Sequence, residues 1–361
     1  MSAQQELENA PSDIISSVAF SEDGSKLFVS SWDNHIYVYE TSPESLLPYT
    51  LLTIIDSTSP ILDVCSNSDG GTIYWVGLEH DVHSAKTDTG ATSLMSMHGE
   101  ASNKIAYSKS HDLLLSSSWD GTMHVHNALS QTPSFIRIKL PAKPFALSLT
   151  SERAVVAMAE RKVSVYNLQD LKELVQQFGS GELDQEIREV QPWQDRESSL
   201  KFMTRAVSCM PDGTGFATSS IEGRVGVEWF DPEAQKKMYA FKCHRQTSTT
   251  QDENGEEQEV DIVYPVNALA FHPVHGTFAT GGGDGVVAMW DAQTKRRVRQ
   301  YQKLGASVAA MDFSPDGKYL AIGVSPGFED GKEDEEADPG LIKVVIRTLA
   351  ENEAKGKAAK G

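Results

Sequence analysis

A short phrase that recurs about every 40 residues constrains the fold of this chain more than any other feature. The phrase consists of small residues, one variable residue, an acid, a tight turn and then a strand with alternating apolar residues. It is found at 30–40 (SSWDNHIYVYE), 116–127 (SSSWDGTMHVHN), 219–231 (SSIEGRVGVEWFD) and 281–291 (GGGDGVVAMWD), and in weaker form at 76–88 and 158–170. A strand–turn–strand unit with this period is typical of one blade of a β-propeller.

The spacing of the acids predicts the number of blades. The acids are Asp33, Glu79, Asp120, Glu160, Glu222 and Asp284, at intervals of 46, 41, 40, 62 and 62 residues. The two long intervals contain extra polar segments, and subtracting about 20 residues from each restores the period. Hairpin patterns with Asp-Gly or Pro-Asp-Gly turns precede the phrases, and one more hairpin at 307–324 leads to the strand 341–349. We therefore predict an all-β, seven-bladed propeller that forms a single closed domain.

The boundaries follow from the same pattern. The repeated segments are 11–44, 48–90, 92–131, 133–171, 172–233, 234–295 and 296–349. We predict that the propeller occupies residues 1–350, with polar or acidic loop insertions at about 172–195, 245–262 and 325–340. The N-terminal AQQELEN segment is predicted to form the outer strand of the last blade and so to close the ring. Residues 351–361 are predicted to be a flexible tail.

Composition excludes several classes of function. The chain has 361 residues and a net charge of −19, of which the segments 252–261 and 329–338 each contribute −6. This composition argues against general nucleic-acid binding, because such binding requires a basic surface. There is no apolar stretch long enough to span a membrane and no secretory signal. Three scattered cysteines do not form a disulfide framework, which favours a reducing, intracellular compartment.

The acids of the phrase have a structural explanation. An acid in so tight a turn can accept hydrogen bonds from backbone N–H groups and from a neighbouring His or Ser. We expect this structural role for Asp33, Asp120, Glu222 and Asp284. The glycine that follows the acid supplies the positive φ of the turn at Gly121, Gly223 and Gly285.

Two tryptophans in the repeated phrase suggest a binding surface. Trp32 and Trp119 immediately precede the acid, at turns that lie on one face of the disc. Exposed tryptophans are costly in water and are frequent anchors at interfaces. We interpret both as binding anchors, and the alternative is that each packs against a neighbouring blade.

A locally basic stretch lies at 196–245, where eight Lys and Arg residues and six acids give a net charge of +2. Arg224 occupies a turn on the same face as the tryptophans, and a blade would bring Arg205 and Lys242 near it. Such a group suits acidic or phosphorylated peptides. The alternative is that these side chains form surface salt bridges with Glu222 and Glu228.

No catalytic or metal-binding constellation is recognisable in the sequence. There is no phosphate-binding loop, nucleophile elbow or zinc-protease motif. His124 and His126 share a strand face but have no third ligand nearby in the sequence, and Cys243–His244 lacks a partner that would orient a base. We predict no enzyme activity, no cofactor and no metal.

The blades resemble WD-repeat propellers, and two long segments are more specific. Residues 196–245, with RESSLK, SIEGR and FKCHR, and residues 264–291 look like the mitotic-checkpoint propellers of the budding-uninhibited-by-benzimidazoles family. The resemblance covers nearly the whole chain. A sister family, the messenger-RNA-export propellers that dock on a nucleoporin, shares the SIEGRV and FKCHR phrases, and RESSLK favours the checkpoint family.

This resemblance implies a spindle assembly checkpoint adaptor, located in the nucleus and at kinetochores in mitosis. Family members bind a short peptide, the GLEBS motif, in a checkpoint kinase and in its pseudokinase-like relative. They also bind phosphorylated Met-Glu-Leu-Thr repeats of the kinetochore scaffold. By resemblance, Trp32, Trp119 and Arg205 match GLEBS-binding positions, and Arg224 and Lys242 match the pair that holds the phosphothreonine.

Two alternatives remain at this point. The first is an export and nuclear-pore adaptor that binds a nucleoporin GLEBS peptide, although the net charge disfavours contact with RNA. The second is a plain scaffold propeller, for which no dependence on phosphate is expected.

Overall fold

Seven antiparallel sheets form a closed ring in the computed structural model, which describes residues 4–42, 49–183, 185–251, 257–327 and 338–356. The first strands are β1 (Gln4–Glu6), β2 (Ile15–Phe20), β3 (Lys26–Ser31), β4 (His35–Thr41), β5 (Tyr49–Asp56), β6 (Ile61–Ser66), β7 (Thr72–Gly77), β8 (Asp81–Lys86), β9 (Thr92–Met97), β10 (Ser102–Ser108), β11 (Leu113–Ser118), β12 (Thr122–Asn127), β13 (Phe135–Lys139), β14 (Pro144–Leu149), β15 (Arg153–Met158) and β16 (Lys162–Asn167). The remaining strands are β17 (Ile187–Arg188), β18 (Gln194–Glu197), β19 (Thr204–Cys209), β20 (Gly215–Ser220), β21 (Arg224–Trp229), β22 (Tyr239–Lys242), β23 (Arg245–Gln251), β24 (Glu257–Val263), β25 (Val266–Phe271), β26 (Thr277–Gly282), β27 (Val287–Asp291), β28 (Arg296–Gln300), β29 (Val308–Phe313), β30 (Tyr319–Val324) and β31 (Lys343–Thr348). Two helices, α1 (Leu168–Phe178) and α2 (Pro232–Gln235), and two 3₁₀ turns, Ala159–Arg161 and Pro339–Leu341, complete the described elements.

Each sheet is one blade, and its strands follow one another from the centre outwards. Blade 1 contains β2–β5, blade 2 contains β6–β9, blade 3 contains β10–β13 with β17 added in parallel, blade 4 contains β14–β16 with β18, blade 5 contains β19–β22, blade 6 contains β25–β28, and blade 7 contains β29–β31 with β1. The innermost strands, from β2 to β29, neighbour one another around the ring, and β29 lies beside β2. The predicted seven-bladed, all-β architecture is confirmed.

The hydrophobic core is divided into clusters that each lie between two neighbouring blades. The strands are apolar at successive positions because both faces of each sheet are covered. In β3, Phe28 points into the cluster shared with blade 2, and the next residue, Val29, points into the cluster shared with blade 7. Among the described residues there are seven such clusters, one for each junction of the ring.

Side chains also link the innermost strands, which do not pair with each other as a sheet. Asp312 accepts a hydrogen bond from the Phe20 N–H at 2.8 Å and joins blade 7 to blade 1. Asp63 accepts from the Ile105 N–H at 3.1 Å and joins blade 2 to blade 3. These contacts satisfy backbone donors that would otherwise remain unpaired near the centre of the disc.

The ring closes through the N-terminus, as the sequence predicts. Strand β1 pairs antiparallel with β31, and Gln4, Gln5 and Glu6 lie opposite Arg347, Ile346 and Val345. The repeated segments in the sequence are therefore offset by one strand from the blades, since a segment such as 48–90 begins with the outer strand of the preceding blade. The outer strand of blade 7 comes from the start of the chain, and this arrangement joins the two ends.

The antiparallel order gives the disc two distinct faces. The upper face carries the turns between the second and third strands of each blade, such as 32–34 and 221–223, and the connections between blades. The lower face carries the other turns, such as 210–214 and 230–238 in blade 5. A residue at the start of a first or third strand therefore lies at the upper face.

The predicted loop insertions contain regular structure where the structure describes them. The first begins within α1, whose Asn167 cap accepts from the Gln169 N–H and whose Leu171 and Val175 are buried. The second is the hairpin β23–β24, which projects from the connection between blades 5 and 6. Most of the third, residues 328–337, lies outside the described residues.

The start of the predicted tail differs from the sequence prediction. Glu353 and Ala354 are buried, at 4% and 2% exposure, so residues 351–354 are not a flexible tail. The Glu353 carboxylate pairs with Arg347 at 3.1 Å, and the Ala354 carbonyl accepts from the Thr277 hydroxyl at 2.7 Å. These contacts fasten the segment to blades 6 and 7. Residues 357–361 lie outside the described part of the chain.

Among the helices that the structure describes, none is long and apolar enough to cross a membrane.

Candidate functional site

The three aspartates of the repeated phrase hold their turns, as predicted. Asp33 accepts from the N–H groups of Ser12 and His35, and Asp120 accepts from those of Gly99 and Thr122. The residue after the aspartate takes a positive φ in blades 3 and 6, with 80° at Gly121 and 73° at Gly285. These acids are part of the fold and are engaged inside the molecule.

Blade 6 shows the most complete version of this structure. His244 Nδ1 lies 2.8 Å from Asp284 Oδ1, and His244 Nε2 lies 2.8 Å from Thr280 Oγ1. The Trp290 indole N–H donates to the same hydroxyl at 3.0 Å. The imidazole and the carboxylate are both buried, so this network satisfies polar groups that water cannot reach.

Glu222 departs from this pattern. Its longer side chain turns outwards, and its carboxylate lies 3.2 Å from Arg224 Nε, with both side chains about one-third exposed. This contact is the salt bridge that the alternative interpretation of Arg224 predicts. Gly223 in the same turn has a φ of 61°, and a Cβ atom there would lie 2.7 Å from the Cys243 carbonyl oxygen. The turn therefore packs closely on the connection to blade 6.

Arg224 and Lys242 form a cationic pair at the upper edge of blade 5. They are opposite each other in the register of β21 and β22, where side chains of directly paired residues are neighbours. Lys242 is exposed and Arg224 is partly exposed. The structure thus brings together the two residues to which the resemblance gives phosphothreonine binding.

Arg205 lies on the same upper edge but at its inner end. It is the second residue of the innermost strand β19, three strands from Lys242, or about 14 Å at ordinary strand spacing. Its guanidinium Nη2 donates to the Asn267 side-chain oxygen at 3.0 Å, and Asn267 donates to the Ser307 hydroxyl at 3.0 Å. Arg205 is thereby oriented by the neighbouring blade and is still exposed.

The two tryptophans lie on the upper face in blades 1 and 3. Trp32 is 40% exposed, whereas the ring of Trp119 is partly covered by the Lys143 ammonium, 4.7 Å from the ring centroid. Between them, in the corresponding position of blade 2, Leu78 is 37% exposed. The three residues form an apolar arc along blades 1 to 3.

A second apolar group lies beside the cationic pair and was not among the residues expected from the sequence. Phe202, Met203 and Ile221 are 50%, 45% and 40% exposed. The Ile221 N–H donates to the Met203 carbonyl at 3.1 Å, which holds the backbones of these two residues side by side, and Phe202 directly precedes Met203. The sequence does show two large apolar residues, Phe202 and Met203, just before β19. Only the strand boundaries, however, show that these residues are exposed at the upper face.

Not every base of the 196–245 stretch reaches the upper face. Arg196 is directed inwards, donates to the Trp229 carbonyl at 2.8 Å and lies 3.8 Å from Glu228. Lys236 and Lys237 follow α2 on the lower face, and Lys236 pairs with Glu233 at 2.7 Å. The convergence of bases that the sequence suggests is therefore limited to part of the stretch.

The histidine and cysteine candidates have structural partners. The Ser96 hydroxyl lies 2.9 Å from His124 Nδ1 and 3.2 Å from His126 Nε2, and burial lowers the pKa of His126 to about 3. Burial raises the pKa of the Cys243 thiol to about 12, so the sulfur stays protonated and is a poor nucleophile. Within the described ranges, the one group with metal-ligand spacing is Glu79, Asp81 and His83, whose atoms lie within 4.8 Å of one another in a partly exposed position.

The closed ring and the network of blade 6 define the class of the protein, a WD-repeat β-propeller. A family model described as "WD domain, G-beta repeat" matches residues 2–40, 92–127 and 263–291. These matches cover part of blades 1, 3 and 6, whose aspartates hold their turns.

Full-length comparisons give the family. The chain is 37% identical to "Mitotic checkpoint protein BUB3.1" of Arabidopsis thaliana, over 99% of this chain and 96% of that protein. It is 35% identical to "Spindle assembly checkpoint protein bub3" of Schizosaccharomyces pombe, over 86% of this chain and 88% of that protein. The "Poly(A)+ RNA export protein" of the same yeast is 26% identical, over 99% of this chain and 93% of that protein. The chain belongs to the family of mitotic-checkpoint WD-repeat propellers, and the export propellers are its more distant relatives.

Proposed function

We propose that the protein is a non-enzymatic adaptor of the spindle assembly checkpoint. In this proposal it binds GLEBS peptides of checkpoint kinases and phosphorylated Met-Glu-Leu-Thr repeats of the kinetochore scaffold, and it thereby recruits the kinases to unattached kinetochores. The protein is located in the nucleus and, during mitosis, at kinetochores. The greater identity to checkpoint proteins than to the export protein of the same yeast supports this choice over the export adaptor.

The observation that carries the proposal is the pairing of Arg224 with Lys242. A phosphothreonine has a charge of about −1.5 to −2 and three acceptor oxygens, and two adjacent cationic side chains can each donate to it. The chain as a whole is acidic and repels a phosphate, so the attraction must come from these two cations at short range. Glu222 already contacts Arg224, so the phosphate must compete with a carboxylate for that guanidinium.

The apolar group beside this pair fits the rest of the repeat. A Met-Glu-Leu-Thr peptide carries two apolar side chains within three residues of the threonine. Phe202, Met203 and Ile221 lie on the same blade edge and expose apolar surface that a bound peptide would cover. Such burial adds about 25 cal/mol per Å² to binding and does not depend on phosphate.

The GLEBS peptide is assigned to the rest of the upper face. Its paired glutamates require cations, and Arg205 is exposed at the inner end of blade 5 with its orientation set by Asn267. The arc of Trp32, Leu78 and Trp119 supplies apolar anchors on the other side of the central channel. A peptide that spans the face would contact both regions.

The proposal is tested with two fluorescent peptides and polarisation measurements. The first is a GLEBS peptide, and the second is a Met-Glu-Leu-Thr repeat with and without phosphothreonine, each measured with and without unlabelled GLEBS peptide. We expect phosphate-dependent binding of the repeat that weakens as salt is raised. The double variant Arg224→Glu, Lys242→Glu should weaken it at least about 100-fold, because two attractive charges become repulsive.

A matched control separates the site from net charge. The double variant Lys109→Glu, Lys236→Glu makes the same change in net charge on the lower side of the molecule, and it should bind the phosphorylated repeat like the parent. Trp32→Ala and Arg205→Ala should weaken the GLEBS peptide and leave the thermal midpoint unchanged. If the Arg224, Lys242 variant binds the phosphorylated repeat as tightly as the parent, the phosphate site is wrong. GLEBS binding with no response to phosphate would favour the export adaptor.

A further inference from the structure

A groove on the lower face has no role in the proposed function. It has a volume of about 910 Å³ and spans blades 4, 5 and 6. Its walls are the residues before β18, the turn 212–214, the segment 229–237 between β21 and β22, and the turn of blade 6 at 293–295. Because the antiparallel order places all these segments at the lower face, the groove is on the opposite side of the disc from Arg224 and Lys242.

The floor and one wall of the groove are aromatic. Trp193 is 47% exposed, and its ring meets the buried ring of Phe230 edge to face at 6.0 Å. The Arg153 guanidinium lies over the Trp193 ring, 4.3 Å from its centroid, and restricts the position of the indole. Trp229 lies next to Phe230 and is also nearly buried. An exposed tryptophan held in place at the mouth of a concave surface is a typical anchor for an apolar side chain.

Two lysines stand at the rim of the groove. Lys237 and Lys295 are exposed, and Lys295 Nζ lies 4.7 Å from the centroid of the Tyr239 ring. Across the part of the chain that the structure describes, neither ammonium forms an ion pair with a carboxylate. Arg296 and Arg297 follow Lys295 and are exposed at the same end of β28.

The acids of the groove are already engaged in local turns. Asp212 Oδ1 accepts from the N–H and the hydroxyl of Thr214, and Asp231 Oδ1 accepts from the N–H groups of Glu233 and Ala234. These carboxylates stabilise the turn and the start of α2. The ammonium groups of Lys237 and Lys295 at the rim are exposed to solvent, in a protein with a net charge of −19.

We propose that this lower groove, formed by Trp193, Trp229, Phe230, Lys237 and Lys295, binds a short acidic peptide of a partner protein. The peptide carries an aromatic or large aliphatic residue between Asp or Glu residues. Its apolar side chain packs on Trp193 and Phe230, and its carboxylates accept hydrogen bonds from Lys237 and Lys295. A longer polyanion such as nucleic acid is disfavoured, because the acidic protein around the groove repels it.

The test uses a fluorescein-labelled peptide with the core Asp-Glu-Phe-Glu-Asp between Gly-Ser flanks. Comparison peptides replace Phe by Gly or all acids by Lys, and binding is measured by polarisation on the full chain. We expect saturable binding of the acidic aromatic peptide, with at least about tenfold weaker binding of each comparison peptide. Lys237→Glu, Lys295→Glu should weaken binding at least about tenfold, and these exposed substitutions leave the core untouched.

Three further measurements decide the outcome. Trp193→Ala should weaken the acidic aromatic peptide and leave binding of the phosphorylated repeat unchanged. Arg224→Glu, Lys242→Glu should leave the acidic aromatic peptide bound as in the parent, so that a failure of the upper site and a failure of this groove are distinguishable. Lys109→Glu, Lys318→Glu, which reverses two exposed lysines at lower-face turns of blades 3 and 7 outside the groove, should also bind like the parent, although it carries the same change in net charge. Equal affinity of the parent and the Lys237, Lys295 variant, or no binding of the peptide up to about 1 mM, would overturn the proposal.

Discussion

Blades 5 and 6 contain the same phrase at the same turn, but they use its acid in opposite ways. In blade 6, Asp284 is 5% exposed and accepts hydrogen bonds from His244 and from the Val286 N–H. In blade 5, Glu222 is directed to the surface and pairs with Arg224. Glu222 is one methylene longer than Asp284, and of the two acids it is Asp284 that contacts a buried histidine. The acid of blade 6 is therefore part of a polar network that stabilises the fold, whereas the acid of blade 5 belongs to a charged group that a ligand can reach.

This difference shows how a repeated element acquires a function. The Asp284 network is saturated, since His244, Thr280 and Trp290 satisfy each other inside the blade. The turn of blade 5 instead leaves Arg224 and Lys242 side by side at the surface. A copy of the phrase can take part in binding where its charged groups are not consumed by the packing of the blade.

The largest expected effect is on stability, and it separates the two turns directly. Asp284→Ala should lower the free energy of unfolding by about 3 kcal/mol, because it leaves the buried His244 Nδ1 and the partly buried Val286 N–H without partners. Glu222→Ala should change it by less than about 0.5 kcal/mol, because Glu222 and its partner Arg224 are both partly exposed to water. Urea unfolding followed by circular dichroism measures both. Asp284→Asn, which keeps an acceptor, is the matched control, and equal losses for Asp284→Ala and Glu222→Ala would refute the comparison.

A third acid extends the comparison to pH. Burial raises the pKa of Asp312 to about 7, although its carboxylate accepts from the Phe20 N–H. Between about pH 4 and 7 the Asp312 carboxyl is therefore protonated in the folded protein, whereas in the unfolded chain, where its pKa is the ordinary value of about 4, it is ionised. The free energy of unfolding consequently falls as the pH rises through this range. Asp312→Asn should be more stable than the parent by about 2 kcal/mol at pH 8 and by much less at pH 5. Thermal midpoints across this range test the sign, and a gain that does not grow with pH would contradict it.

The smallest expected effect concerns ligand affinity. Under the proposed function, Glu222→Gln should strengthen binding of the phosphorylated repeat about threefold, because a carboxylate no longer competes for Arg224. The gain should shrink as salt is raised, since exposed charges are screened. Glu233→Gln, which removes the partner of Lys236 on the lower face, is the matched control and should leave binding unchanged. Weaker binding in Glu222→Gln would mean that Glu222 positions Arg224 rather than competing for it.

Several features of the fold are predictable from the sequence because they depend on local chemistry. The period of the phrase and the alternation of its strands predict seven blades, and the segment around Gln4–Glu6 is correctly predicted to close the ring. The glycines after the acids predict turns with positive φ, and Gly121, Gly223 and Gly285 have φ values of 80°, 61° and 73°. These properties are set by the residues of one turn or one strand.

The tertiary structure decided which residues share a surface. Arg196 and Lys237 belong to the same basic stretch as Arg224, yet one is turned inwards and the other lies on the lower face. The lower groove joins Trp193 to Lys295, about a hundred positions away in the chain. The face on which a side chain lies depends on the end of the strand that it occupies, and its neighbours depend on the next blade. Both are consequences of ring closure, in which packing between blades brings together residues that no local pattern relates.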